Sequence, residues 1–172
     1  MKFQSWIAKI SLVVALLVSS VVLAQEVSVS TNSMPGTDFS KYRTYKWITV
    51  ASDPQPNQIV DAEIKQAIDS QLASKGLTKT DSDQATLFVG YQVAIDKQKQ
   101  WNSYVDYYYL QQTSSTIDVG TLVLDMYDPA AKQLVWTGRA TKALDPSASQ
   151  EKRQENIDKA MAKLLKDFPP KK

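Results

Sequence analysis

A stretch of alternating side chains at residues 85–95 constrains the fold of this chain more than any other feature. Apolar side chains occupy every second position there, at Ala85, Leu87, Val89, Tyr91, Val93 and Ile95. The positions between them are mixed in character. Because successive side chains of a strand point to opposite faces, the pattern predicts a strand that buries one face against other elements.

Two further segments repeat their apolar residues at the spacing of a helix. The first follows Asn57, a favourable N-cap, and ends at Gly76, which suits the left-handed position after a helix. The second begins near Ser147, where Gln150 would complete a capping box, and stops at two prolines. Their apolar stripes are Val60, Ile64, Ala67, Ile68 and Leu72, and Ile157, Met161, Leu164, Leu165 and Phe168. Each helix therefore needs cover on one side only.

The order of these elements predicts the fold class. Strands are predicted at residues 44–48, 85–95, 117–127 and 133–143. The last two form a hairpin whose turn starts at Asp128. The order β-α-β-β-β-α predicts an α+β fold with a largely antiparallel sheet of four to five strands and both helices on one face. Residues 25–37 are either an edge strand or an irregular leader, and residues 38–170 form the domain.

The first 24 residues have the composition of a secretory signal peptide. Lys2 and Lys9 provide a positive start, and an uncharged apolar run follows at residues 10–22. That run is 13 residues long, shorter than the ~20 residues of a spanning helix. Cleavage between Ala24 and Gln25 is predicted, with no membrane span afterwards and a periplasmic or secreted location. The alternative is an uncleaved N-terminal anchor.

The charge of the mature sequence argues against a nucleic-acid partner. The whole chain has 20 basic and 18 acidic residues, a net charge of +2. Removal of Lys2 and Lys9 with the signal peptide leaves 18 of each. Nucleic-acid-binding proteins carry a clear positive excess or patch, and the neutral mature chain has no such excess.

The sequence offers little chemistry for catalysis. It contains no His and no Cys, so the commonest general base, the commonest metal ligand and the thiol nucleophile are missing. Asp125 and Asp128 are the best carboxylate pair, for acid–base work or a Ca²⁺ site. A turn aspartate also caps backbone N–H groups, and Ca²⁺ needs about 6–8 oxygen ligands. We therefore predict no catalytic, metal or cofactor site.

An aromatic segment at residues 101–110 has a different character. Its aromatic residues are Trp101, Tyr104, Tyr107, Tyr108 and Tyr109. Polar stretches at residues 96–100 and 111–116 flank the segment. It is either a further core strand or an exposed contact surface on a projecting hairpin or loop, because Tyr and Trp anchor many binding surfaces. The second interpretation predicts that these five residues bind a partner.

Six short motifs follow one another along the chain. They are DFSKYRTYKW at residues 38–47, LASKGL at 72–77, ATLFV at 85–89, GTLVLD at 120–125, LVWTG at 134–138 and FPP at 168–170. Their order and spacing resemble the DUF4136 domain of bacterial envelope proteins. The resemblance implies a shared fold and carries no catalytic residues. Many members resemble lipoproteins, whereas Gln25 stands here at the position of their lipidated Cys, so no lipidation is predicted.

These features together predict a non-enzymatic exported envelope protein that binds an envelope protein or a lipid. The alternative is a periplasmic carrier of a small apolar ligand held between sheet and helices. A cavity lined by Phe88, Leu122 and Leu124 would favour the carrier. An exposed aromatic ridge would favour the partner-binding protein.

Export with cleavage gives a direct test. Mass spectrometry of the protein isolated from the periplasm or medium should find Gln25 as the first residue, because cleavage after Ala24 removes the positive start and the apolar run. An intact Met1 on protein recovered from the envelope would show that the segment is kept as an anchor.

Overall fold

The structure of this chain is a computed structural model. It describes residues 26–50, 55–106 and 109–170, with the side chains of all of these except 101–106 and 109–113. The predicted signal peptide lies outside this part of the chain. Among the described residues, no helix has both the length and the apolar character needed to cross a bilayer.

The described residues form one six-stranded sheet and two α-helices. The strands are β1 (Ser28–Ser33), β2 (Thr44–Trp47), β3 (Thr78–Lys79), β4 (Leu87–Asp106), β5 (Tyr109–Asp128) and β6 (Gln133–Ala143). The helices are α1 (Gln58–Ser74), α2 (Gln150–Leu164) and a short 3-10 helix (Phe39–Lys41). The strand order across the sheet is β1-β6-β5-β4-β2-β3. The β2 strand pairs in parallel with β3 and β4, and all other pairs are antiparallel.

The predicted α+β class is confirmed, and the predicted sheet is wrong in two respects. The sheet has six strands where four to five were expected, and it is mixed where a largely antiparallel one was expected. Helix α1 carries the chain from the end of β2 back to the start of β4, and a crossover of this kind makes two neighbouring strands parallel. The sequence pattern predicted the helix without showing that β2 and β4 are neighbours. The β3 strand has two residues, too few to show a pattern.

Both ends of α1 follow the predicted local signals. The Asn57 side chain accepts a hydrogen bond from the Val60 backbone N–H at 3.0 Å. Gly76 has a φ of +84°, which is the left-handed conformation that favours glycine. The Leu77 N–H donates to the Leu72 carbonyl at 3.1 Å, which closes a Schellman ending.

Helix α2 begins two residues later than the predicted capping box would place it. Ser149 is its N-cap and accepts a hydrogen bond from the Lys152 backbone N–H. The hydroxyl of Ser147 donates instead to Asp145 at 2.6 Å. The box with Gln150 is therefore wrong, because Ser147 belongs to the turn that precedes the helix.

The core lies between the two helices and one face of the sheet. Its fully buried side chains include Leu87, Val89, Leu124 and Met126 from the sheet and Ile68, Leu72, Leu164 and Leu165 from the helices and their ends. Trp136 of β6 is buried and packs edge-on against Phe168, with ring centroids 5.4 Å apart. Residues of β4 alternate as predicted, with Leu87 and Val89 facing the helices. On the other face Phe88 is half-buried.

The two central strands extend well past their neighbours. The β4 and β5 strands pair continuously, whereas β6 accompanies β5 only as far as Val119. Residues 97–106 and 109–118 therefore form a two-stranded arm with no other strand beside it in the described part of the chain. The strands predicted at 85–95 and 117–127 were too short. Alternation marks a strand only where one face is buried, and the described arm residues are mostly exposed and polar.

Asp128 joins the β5–β6 turn to the 3-10 helix and is 2% exposed. Its Oδ1 accepts the backbone N–H groups of Ala130 and Ala131, both at 2.9 Å. Its Oδ2 accepts Lys41 Nζ at 2.7 Å and the Tyr42 hydroxyl at 2.9 Å. Burial alone would raise the pKa of the Asp128 carboxyl, but the hydrogen bonds from these partners outweigh it and lower the pKa to about 2.

Acid should therefore destabilise the fold through Asp128. A carboxyl with a pKa of about 2 when folded and 3.8 otherwise contributes about 2 kcal/mol above pH 4. The contribution is lost as the pH falls from 4 to 2. The Asp128→Asn variant should lower the free energy of unfolding by about 2–3 kcal/mol at pH 7, and by much less at pH 2. Urea denaturation at pH values from 2 to 7 measures the free energy of unfolding of the unchanged protein and of the variant. The control is Asp81→Asn, which lies in an exposed loop. An unchanged pH profile in Asp128→Asn would contradict the assignment.

Candidate ligand-binding cleft

The predicted carboxylate pair does not form a site. Asp125 accepts a hydrogen bond from the Thr137 hydroxyl of β6 at 2.6 Å. Asp128 is occupied by its turn and by Lys41. The two carboxyls share no partner, and no group of three or more acidic side chains is placed to hold a metal ion within the described residues. Turn capping, the alternative reading of Asp128, is what the structure shows.

The described part of the predicted contact segment, residues 101–106 and 109–110, belongs to the outer part of the arm. Trp101 and Tyr104 lie on β4, and Tyr109 is the first residue of β5. Tyr107 and Tyr108 lie outside the described residues. The backbone pairing of β4 with β5 extends over the described part of the arm. Partner binding by the five aromatic residues stays a prediction.

An open cleft of about 590 Å³ lies between the helices and the sheet. The volume falls within the range of small-molecule pockets, roughly 300–1,000 Å³. The apolar side chains around it include Val27, Val60, Ile64, Val93, Ile95, Leu122, Ala140, Leu144, Ile157, Ala160 and Met161. No aromatic side chain lines it among the described residues. The cleft is therefore an aliphatic surface that water can reach.

The strand register orders the floor of the cleft into rows of facing residues. The inner row is Val93, Leu122 and Ala140, and the next row is Ile95, Gly120 and Lys142. Asp118 lies one row further toward the arm, opposite Lys97. The floor is thus apolar near the body of the domain and charged near the arm. We call the charged end, from Ile95 and Lys142 outward, the mouth of the cleft.

Small residues lie at the mouth, on the floor and on the α2 wall of the cleft. A Cβ on Gly120 would lie 2.9 Å from the Leu144 side chain, so the glycine lets Leu144 fold over the sheet at the mouth. Ala140 on the floor and Ala160 on α2 present only a methyl group. Leu144 is 42% exposed and Ile95 is 54% exposed, so the mouth shows apolar surface to solvent.

Two polar contacts lie on the α2 wall. Arg153 donates through Nε and Nη2 to the two carboxylate oxygens of Glu63, at 2.9 and 3.0 Å. Hydrogen bonding from Arg153 lowers the pKa of the Glu63 carboxyl, which is 7% exposed. This pair ties α1 to α2. Lys142 Nζ donates to the side-chain oxygen of Asn156 at 2.9 Å.

The expected lining of a carrier cavity is only partly right. Leu122 lines the cleft, whereas Leu124 is fully buried in the core below it. Phe88 lies on the opposite face, because neighbouring residues of a strand point to opposite sides. Sequence reasoning also missed Arg153 and Asn156. The available signal was Arg153, a charged residue four positions before Ile157 and therefore in line with the apolar stripe of α2.

A profile of one domain family matches residues 29–170, most of the chain. The family is DUF4136, a domain of unknown function. This chain belongs to the DUF4136 family. The resemblance inferred from the six motifs is thereby confirmed. No curated protein sequence matches the chain.

The solved structures that are similar in fold to this DUF4136 chain include the following two. A PDZ domain protein from Parabacteroides distasonis superposes with a TM-score of 0.60 at 16% identity, over 86% of this chain and 36% of the other. The PelC dodecamer from Paraburkholderia phytofirmans superposes with a TM-score of 0.55 at 11% identity, over 86% of this chain and 100% of the other. The DUF4136 chain thus spans little more than a third of the first protein. Identities this low show the fold alone.

Proposed function

We propose that this DUF4136 protein is a non-enzymatic exported envelope protein that binds a small apolar ligand in the cleft between sheet and helices. The observation that carries the proposal is the open aliphatic cleft of about 590 Å³. Export and a periplasmic or secreted location rest on the sequence of residues 1–24. The absence of His and Cys from the whole sequence supports a binding role over catalysis.

Packing supports a binding role for the cleft. Protein interiors are normally close-packed, with few voids larger than a water molecule. Larger side chains at Ala140 or Ala160 would fill the space, and filling a cavity commonly stabilises a protein. The cleft keeps small residues at these positions and leaves Leu144 and Ile95 exposed at its mouth. Apolar surface of this kind often marks a binding site.

Filling the cleft should abolish binding of an apolar probe. The neutral dye N-phenyl-1-naphthylamine should become fluorescent on binding the purified protein. Ala160→Leu should weaken this binding at least tenfold, because the added side chain occupies the space of the ligand. Dye titration measures the affinity, and circular dichroism checks that the variant is folded.

The matched control is Ala162→Leu, an exposed position on the same helix. This variant should bind the dye as tightly as the unchanged protein. Equal binding by Ala160→Leu, or no binding by the unchanged protein, would overturn the proposed function.

A second candidate is an envelope protein that binds a protein partner through the arm. The supporting observation is the arm itself, whose outer strand edges have no strand partner among the described residues. Exposed edges accept strands from other chains. PelC, which has a similar fold, is described as a dodecamer, so another copy of this chain is one candidate partner.

Substitution of Tyr107 and Tyr109 by Ser tests this candidate. If the rings are exposed, the free energy of unfolding should change by no more than about 1 kcal/mol, and a partner captured from envelope extract should be lost. The control is Tyr91→Ser. Tyr91 is half-buried and donates a hydrogen bond to Asp61, so this change should cost about 3 kcal/mol. A similar loss in the arm variant would place its rings in a packed core.

A further inference from the structure

We propose that the ligand of the cleft is a fatty acid, with its alkyl chain on the aliphatic floor and its carboxylate on a donor cluster at the mouth. The donor cluster consists of Lys142, Arg153 and Asn156. This inference rests on the proposed function and specifies the ligand of the same site.

The walls favour an alkyl chain over a ring. All the apolar lining residues of the described cleft are aliphatic. Aromatic ligands gain from stacking on aromatic side chains, and the cleft provides none there. An alkyl chain needs no such stacking, because removing its apolar surface from water is enough to favour binding. The inner row of Val93, Leu122 and Ala140 is suited to that contact.

The rows of the floor give the ligand a direction. The apolar inner row leads outward to Ile95, Gly120 and Lys142, where the first charged side chain of the floor appears. A ligand that matches this order has an apolar tail and one polar end. The tail lies toward Leu122, and the polar end lies beside Lys142.

The donor cluster determines the sign of the polar end. The oxygen of the Asn156 side chain already accepts Lys142 Nζ, so the polar group that remains on Asn156 is its NH₂ donor. Arg153 uses Nε and Nη2 for Glu63, and its Nη1 remains. Lys142 retains further N–H donors. Because each spare group is a donor, the cluster fits an anion.

The carboxylates near the mouth position the anion on the α2 side. No carboxylate lies within 4.0 Å of Lys142 Nζ among the described residues. Asp118 stands diagonally across from Lys142, at the separation of about 7–8 Å typical of such neighbours, and faces Lys97. Asp145 accepts hydrogen bonds from the backbone and hydroxyl of Ser147, at 2.9 and 2.6 Å. Asp118, on β5, repels an anion from the β5 side and leaves the α2 side for it.

The experiment compares ligands that differ only at the polar end. The protein purified after expression of the full chain is loaded with N-phenyl-1-naphthylamine, and the dye is displaced at pH 8 by dodecanoate or dodecanol. Dodecanoate should bind at least tenfold more tightly than dodecanol. Decanoate should bind about fifteenfold more weakly than dodecanoate, because each buried methylene contributes about fourfold.

Variants of Lys142 test the role of the donor cluster. Lys142→Met should weaken the binding of dodecanoate about tenfold, which is the usual effect of losing a charge-assisted hydrogen bond. The affinity for dodecanol should change by no more than about twofold. Lys142→Arg should restore most of the preference for dodecanoate. The control is Lys166→Met, which removes the same charge from an exposed position beyond the end of α2.

The outcomes separate this inference from the proposed function. Equal affinity for dodecanoate and dodecanol would overturn the fatty-acid assignment and leave an apolar-ligand site. An equal loss of affinity for both compounds in Lys142→Met would do the same. No displacement by either compound, with dye binding unaffected by Ala160→Leu, would overturn the proposed function. Binding to phosphatidylglycerol vesicles without displacement by dodecanoate would assign the cleft to a membrane surface, and that too would overturn the inference.

Discussion

The continuous antiparallel pairing of β4 with β5 is the interaction on which the rest of the structure depends. The buried rows of this pairing include Val89 and Met126, which face each other and are buried under the helices. A shift of one residue in this register would turn every side chain to the other face and expose Met126 and Leu124. The buried rows therefore fix the register. The same register extends to the floor of the cleft and to the arm, because both lie further along the same pair of strands.

The helices cover only part of the sheet face that this pairing creates. Two kinds of contact hold α1: its apolar stripe, and polar bonds to aromatic residues of the parallel strands. Asp69 of α1 accepts the Tyr45 hydroxyl at 2.7 Å and Trp47 Nε1 at 2.8 Å. The Arg153–Glu63 pair then ties α2 to α1. Within the described residues, no buried side-chain N or O atom lacks a hydrogen-bond partner. The described core therefore carries no free-energy cost from a buried side-chain polar atom without a hydrogen bond.

The same arrangement explains why the domain stays open at one end. Beyond the buried rows of Leu124 and Met126, the sheet presents Gly120 and Ala140 to the helices, and α2 presents Ala160. These small side chains do not reach across the gap, so the helices and the sheet enclose a cleft there. Fold stability is concentrated in the buried rows and at Asp128. The rows near the mouth contribute less to stability, and they are free to carry the apolar and donor groups of a binding site.

The sequence by itself determined most of the local structure of this protein, but not the start of α2 or the full length of the two central strands. The Asn57 cap and the Gly76 ending of α1, the alternating strand and the β5–β6 turn at Asp128 all follow from neighbouring residues, whose geometry is set by short-range sterics and hydrogen bonds. The order of six motifs along the chain indicated the DUF4136 family. Only the tertiary structure decided that β2 lies parallel to β4, that Glu63 meets Arg153 ninety residues away, and that Lys142 meets Asn156 at a cleft. These contacts depend on which distant segments pack together, and no pattern of adjacent residues records that choice.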